Sequence, residues 1–135
     1  MSYYFAARVA GTFDDVMERT REALKAQGFG IISEIDIQAA LREKIGIDFR
    51  RYTILGACNP ALAHEALQIE DKVGTMLPCN VVVQERNDGI EVAAIDPVAS
   101  MQAIENRELS EKAAVVADRL KAAIETLRLP AEAVG

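Results

Sequence analysis

Apolar positions recur along this chain with two periods, and each run ends on a recognisable stop. Tyr3, Phe5, Ala7 and Val9 alternate with Tyr4, Ala6 and Arg8. A period of two marks a half-buried strand. Thr12 followed by Asp15 forms a capping box ahead of a helix. Phe13, Val16, Met17, Thr20, Ala23 and Leu24 share one stripe of that helix, with charges opposite. Gly28 is a suitable stop. Phe29 to Ile35 predicts a second strand, with Phe29, Ile31 and Ile35 on one face. Asp36 caps a short helix bearing Ile37, Ala40, Leu41 and Ile45, and Gly46 ends it.

Arg51 to Cys58 predicts a third strand. Asn59 and Pro60 supply an N-cap and a first-turn proline, so a helix is expected from residue 60 toward Val73, stopped by Gly74. Cys79 to Glu85 is a fourth strand. Asn87, Asp88 and Gly89 turn it into a return strand over Ile90 to Ile95. Asp96 and Pro97 repeat the cap-and-proline device, opening a short helix through Met101. Leu109, Ala113, Val116, Leu120, Ala123, Ile124 and Leu127 then share one face of a terminal helix. The tail, 129–135, is expected to fray. No repeat or linker interrupts the chain, so residues 1–135 form a single domain. An antiparallel sheet with helices packed on one face is an α+β arrangement.

Composition narrows the partners. The chain has 135 residues, half of them hydrophobic, enough to bury a core without staples. Its net charge is −6, and Arg50-Arg51 is the only adjacent basic pair. That excludes a nucleic-acid partner, which needs clustered basic residues. No signal-peptide pattern opens the chain, and no apolar stretch nears bilayer length. With only two cysteines, reduced thiols and a cytoplasmic location are expected.

Three strand ends share one design: Cys58-Asn59-Pro60, Pro78-Cys79-Asn80 and Asp96-Pro97. If the third and fourth strands are antiparallel neighbours, both cysteines lie at one end of the sheet. The return strand delivers Asp96 to the same end. Cys58, Asn59, Cys79, Asn80 and Asp96 then converge as a candidate site. Free N–H groups at helix N-termini there attract anions and stabilise thiolates. The competing reading makes both cysteines small buried hydrophobes, and Asn59, Asn80 and Asp96 simple caps and turn formers.

Glu70 falls inside the apolar arc of the expected helix, near Ala63 and Val73. A carboxylate there must be paired, capping or protonated. It is either a structural partner or a functional carboxylate beside the cysteines. His64, the only histidine, lies opposite the arc defined by Leu62, Ala63, Ala66, Leu67, Ile69 and Val73. It is expected to be solvated and away from Cys58. Cys58, Cys79 and His64 are too few for a structural zinc site. The chain has no CxxC, GxSxG, HExxH or Gly-rich phosphate loop.

The string Tyr-Thr-Ile-Leu-Gly-Ala-Cys-Asn-Pro at 52–60, Leu-Pro-Cys-Asn-Val-Val-Val at 77–83 and Asp96-Pro97 together resemble the family called domain of unknown function 302. The resemblance covers nearly the whole chain. It implies a fold similar to the TATA-binding-protein class, a curved antiparallel sheet of about five strands with helices on one side. It also implies a homodimer. It implies no DNA binding, because fold does not carry function.

Three functions follow as expectations. The first is a binding module for a small ligand or soft metal ion at Cys58, Asn59, Glu70, Cys79, Asn80 and Asp96. For a metal at Cys58 and Cys79, soft thiolates favour Cu(I) over Mg²⁺ or Ca²⁺. The second is a homodimeric interaction module, with Tyr3, Tyr4 and Val115 as surface hints. The third is a thiol enzyme using Cys58. The residues name no cofactor.

Overall fold

The computed structural model describes residues 2–128, so the tail expected to fray lies outside them. The strands are β1 (Tyr4–Val9), β2 (Gly30–Asp36), β3 (Tyr52–Cys58), β4 (Cys79–Arg86) and β5 (Gly89–Ile95). The helices are α1 (Phe13–Ala26), α2 (Ile37–Ile45), α3 (Pro60–Ile69), α4 (Pro97–Ser100) and α5 (Arg107–Leu127). A 3-10 turn spans Asp71–Met76. The strands form one open sheet in the order β1-β5-β4-β3-β2, with every pair antiparallel. This is the α+β arrangement expected from the sequence.

Local chemistry sets the element ends. Thr12 accepts a hydrogen bond from the Asp15 N–H at 3.1 Å and caps α1. At the other end Gly28, with φ +88°, turns the chain. The Phe29 N–H donates to Leu24 O at 2.9 Å and the Gly28 N–H to Lys25 O at 3.0 Å. That is the Schellman pattern, and it is completed by apolar contact between its flanking residues. Leu24 and Phe29 are both buried in the same core cluster.

One face of the sheet carries the core. Ala7 and Val9, Leu55 and Ala57, Cys79, Val81 and Val83, and Ile90, Val92 and Ala94 alternate inward from four strands. They meet Val16 and Leu24 of α1 and Leu120, Ala123, Ile124 and Leu127 of α5. A second, smaller apolar cluster joins Ala66, Val73 and Leu109, with Ile69, Leu77, Met101 and Ile104 against it. Helix α5 belongs to both clusters.

Strand β2 departs from its expected parity. Ile31 pairs with Ala57 but Ser33 pairs with Gly56, so a bulge lies between them. An extra residue reverses the alternation beyond it. Ile35 therefore sits opposite Ile54, on the other face from Ile31, and is 48% exposed. Phe29, Ile31 and Ile35 do not share a face. At the far edge, the Arg128 guanidinium donates to the Ala6 carbonyl of β1 at 3.3 Å.

Helix α3 is shorter than its hydrophobic pattern predicts. It ends at Ile69, not near Val73. Glu70 adopts φ −143° and ψ 107°, and its carboxylate accepts from the Lys72 N–H at 2.9 Å. A side chain that caps the next turn competes with continuing the helix. Val73 still reaches the core, carried by the 3-10 turn. Leu67, expected inward, is 40% exposed.

Candidate functional site

The ladder between β3 and β4 pairs Ala57 with Cys79, so the two cysteines reach one end of the sheet, offset by one residue. Beyond that end α3 leaves Cys58 through Asn59 and Pro60. The Asn59 side chain caps α3 by accepting from the Leu62 N–H at 3.1 Å. A cavity of about 40 Å³ lies here, and Cys58, Asn59 and Cys79 line it together. Its walls come from the strand ends, α3, α5 and the segment around α4.

The cavity occupies the seam between the two apolar clusters. Phe29, Ala57 and Cys79 belong to the large cluster, and Ala66 and Leu109 to the small one. Its cause is a shortage of side-chain volume. Ala57, Ala63, Ala66 and Ala113 all face it, and alanine cannot fill the gap between α3 and α5. Lys112 is the one charged residue in the lining. Its ammonium lies 3.3 Å from Glu65 Oε2, tying α5 to α3.

The three other residues expected at the site point elsewhere. Asn80 pairs with Gly56 on the helix-free face of the sheet, exposed beside Tyr3, Tyr4 and Tyr52. Strand alternation dictates this, since Cys79 and Val81 point inward on either side of it. The Asp96 carboxylate accepts from the Val98 N–H at 3.0 Å and caps α4, while Pro97 lines the cavity. Glu70 caps the 3-10 turn and does not face the cysteines. His64 is exposed, with Nε2 3.4 Å from Gln68 Nε2, and is not in the cavity lining. Met101 and Lys112 were not anticipated there. Local pattern gives no signal for them, because both arrive through tertiary packing.

Cys79 is 6% exposed. Burial pushes its thiol up to about 11, and a Cys58 thiolate nearby adds to the rise. A neutral thiol is a poor nucleophile. The fold thus favours the protonated form. That contribution is intact below the unfolded value near pH 9 and is lost as pH climbs through the folded value. Wild type should lose about 2 kcal/mol more stability than Cys79→Ala between about pH 8 and about pH 10.5. Urea unfolding of both proteins at the two pH values measures this. Parallel losses would mean the Cys79 thiol titrates alike in both states.

The model of the family described as domain of unknown function DUF302 matches residues 5–127. The chain belongs to the DUF302 family. A solved relative agrees with this. The crystal structure of an uncharacterised conserved DUF302 protein from Bacillus stearothermophilus superimposes with a TM-score of 0.88 at 30% identity. The match covers 95% of this chain and 100% of that one. No curated protein matches the chain. Among the described residues, no helix is long and apolar enough to cross a membrane. Membership in the DUF302 family accounts for the fold, and any activity must be argued from the site.

Proposed function

We propose that this chain is a binding module whose site is the cavity at the sheet end, between β3, β4, α3 and α5. The observation that carries this is the shared lining of Cys58, Asn59 and Cys79 in an otherwise largely apolar space. A ligand pocket of this kind joins apolar walls to a few placed polar groups. Size limits the occupant. Drug-sized ligands occupy about 300–1,000 Å³, against about 40 Å³ here. An ion or a molecule of a few atoms fits that space. A thiol enzyme finds less support, since catalysis by Cys58 needs a base within reach. His64, the natural candidate, lies outside the lining.

Xenon tests the cavity directly, because it enters dry apolar cavities without needing polar partners. Under xenon pressure the resonances of Ala57, Ala63, Ala66 and Ala113 should shift in the native protein. A small methylating reagent should reach Cys58 more readily than a bulky one. A spectrum indifferent to xenon, with both thiols inert to either reagent, would overturn the binding role.

A further inference from the structure

The sheet has two broad faces, and α1 and α5 cover one of them. An antiparallel sheet that turns its other face to water carries polar residues there. This sheet departs from that rule. Its register sets Ile35, Ile54, Val82, Ala93 and Ala6 side by side across all five strands, from β2 to β1. Each of the five is half-buried or exposed. An apolar row thus runs from one margin of the bare face to the other without a polar residue.

The row is also graded. Its isoleucines lie on β2 and β3, its alanines on β5 and β1, and Val82 stands at the centre on β4. Reversed end for end, the same row offers an alanine wherever the original offers an isoleucine. A two-fold axis produces such a reversal. We propose, independently of the cavity, that this face packs against the same face of a second copy of the chain, with the two-fold axis running along β4 through Val82. Ile54 then packs against Ala93 of the second copy, and Ile35 against Ala6. Large side chains opposite small ones interdigitate. Val82 meets its own counterpart.

The flanking rows agree with that axis. On one side Tyr52 pairs with Gln84 and Gln84 with Glu91. The axis sets Tyr52 against Glu91 of the second copy, a phenol hydroxyl against a carboxylate. Gln84 and Asn80, both on β4, fall on the axis itself. An amide that faces its own counterpart can donate and accept at once. Arg8 pairs with Glu91 on this face, so opposite charges lie together there although the chain carries −6. The size suffices too. Strands about 4.8 Å apart, with same-face positions about 6.8 Å apart, give a flat footprint of about 500 Å² per copy. The pair then buries about 1,000 Å², the size at which a specific interface begins. Aligned sheets cross at about 30°, which shifts Ile54 and Ala93, one strand from the axis, by only about 2.5 Å.

Sedimentation of the full chain at micromolar concentration tests this. Wild type should sediment as two chains. Val82→Glu sets two carboxylates face to face on the axis and should weaken association roughly 100-fold. Val115→Glu, at an exposed position of α5, should leave association unchanged. Ile54→Lys and Ala93→Glu should each be folded by circular dichroism and monomeric, and an equal mixture of the two should restore the two-chain species. Within one copy those positions lie two strands apart with Val82 between them, so the rescue reports on the neighbouring copy. A monomeric wild type would overturn the proposal. So would a dimer that survives Val82→Glu, one that Val115→Glu separates, or folded Ile54→Lys and Ala93→Glu chains that stay apart when mixed.

Discussion

Replacing Leu120 by alanine is expected to destabilise the protein by about 2–5 kcal/mol, the usual range for a large buried aliphatic truncated in a core. Leu120 is fully buried in the middle of α5 and belongs to the large apolar cluster. Helix α5 packs against α1, β1 and β5. A void at Leu120 therefore has rigid neighbours on several sides and little room to collapse. Urea unfolding should show a lower midpoint with an unchanged slope. Leu67→Ala is the control. That side chain is 40% exposed, and its removal should change stability by less than about 0.5 kcal/mol. Similar losses in the two variants would mean that α5 is not seated as described.

Gly56→Val should be comparably damaging, and for the opposite reason. Gly56 lies in the middle of β3, paired with Ser33 on one side and Asn80 on the other. A Cβ there would collide with Ser33 Oγ and come within 2.7 Å of Pro78 Cγ. The hydroxyl can rotate away, but the proline ring cannot. Overpacking of this kind costs about 1–3 kcal/mol for an added methyl and more for a branched side chain. Gly56→Ala should lower the unfolding midpoint and Gly56→Val should lower it further. Adding Ser33→Ala should restore only the part due to the hydroxyl. Complete rescue by Ser33→Ala would show that Pro78 does not hold this position.

Both effects bear on what could be read before the structure. Leu120 was legible, because seven residues of one helical stripe fixed its direction. The caps at Thr12, Asp36, Asn59 and Asp96 were legible too, since each depends on residues within three positions. The meeting of Cys58 and Cys79 at one sheet end followed from strand order, and the β3–β4 ladder places them there. Glu70 was misplaced because the wheel extended α3 past Ile69, where a local hydrogen bond to Lys72 N–H ends the helix. Asn80 was grouped with Cys79 by adjacency, although a strand sends neighbours to opposite faces. Ile35 was misassigned because a bulge leaves no periodic trace. The cavity was not legible at all. It arises from the combined shortfall of alanines on β3, α3 and α5, and only packing reveals which alanines meet.

The sheet does not close on itself, so β1 and β2 are left as its margins. A bare margin is a template on which foreign strands can add and fibrils can begin. Each margin of this sheet carries one local interruption. The kink between Ile31 and Ser33 interrupts the regular spacing that a docking strand would need along β2. On β1, the Arg128 guanidinium already occupies the outward carbonyl of Ala6. Each interruption works against the addition of a foreign strand at that margin.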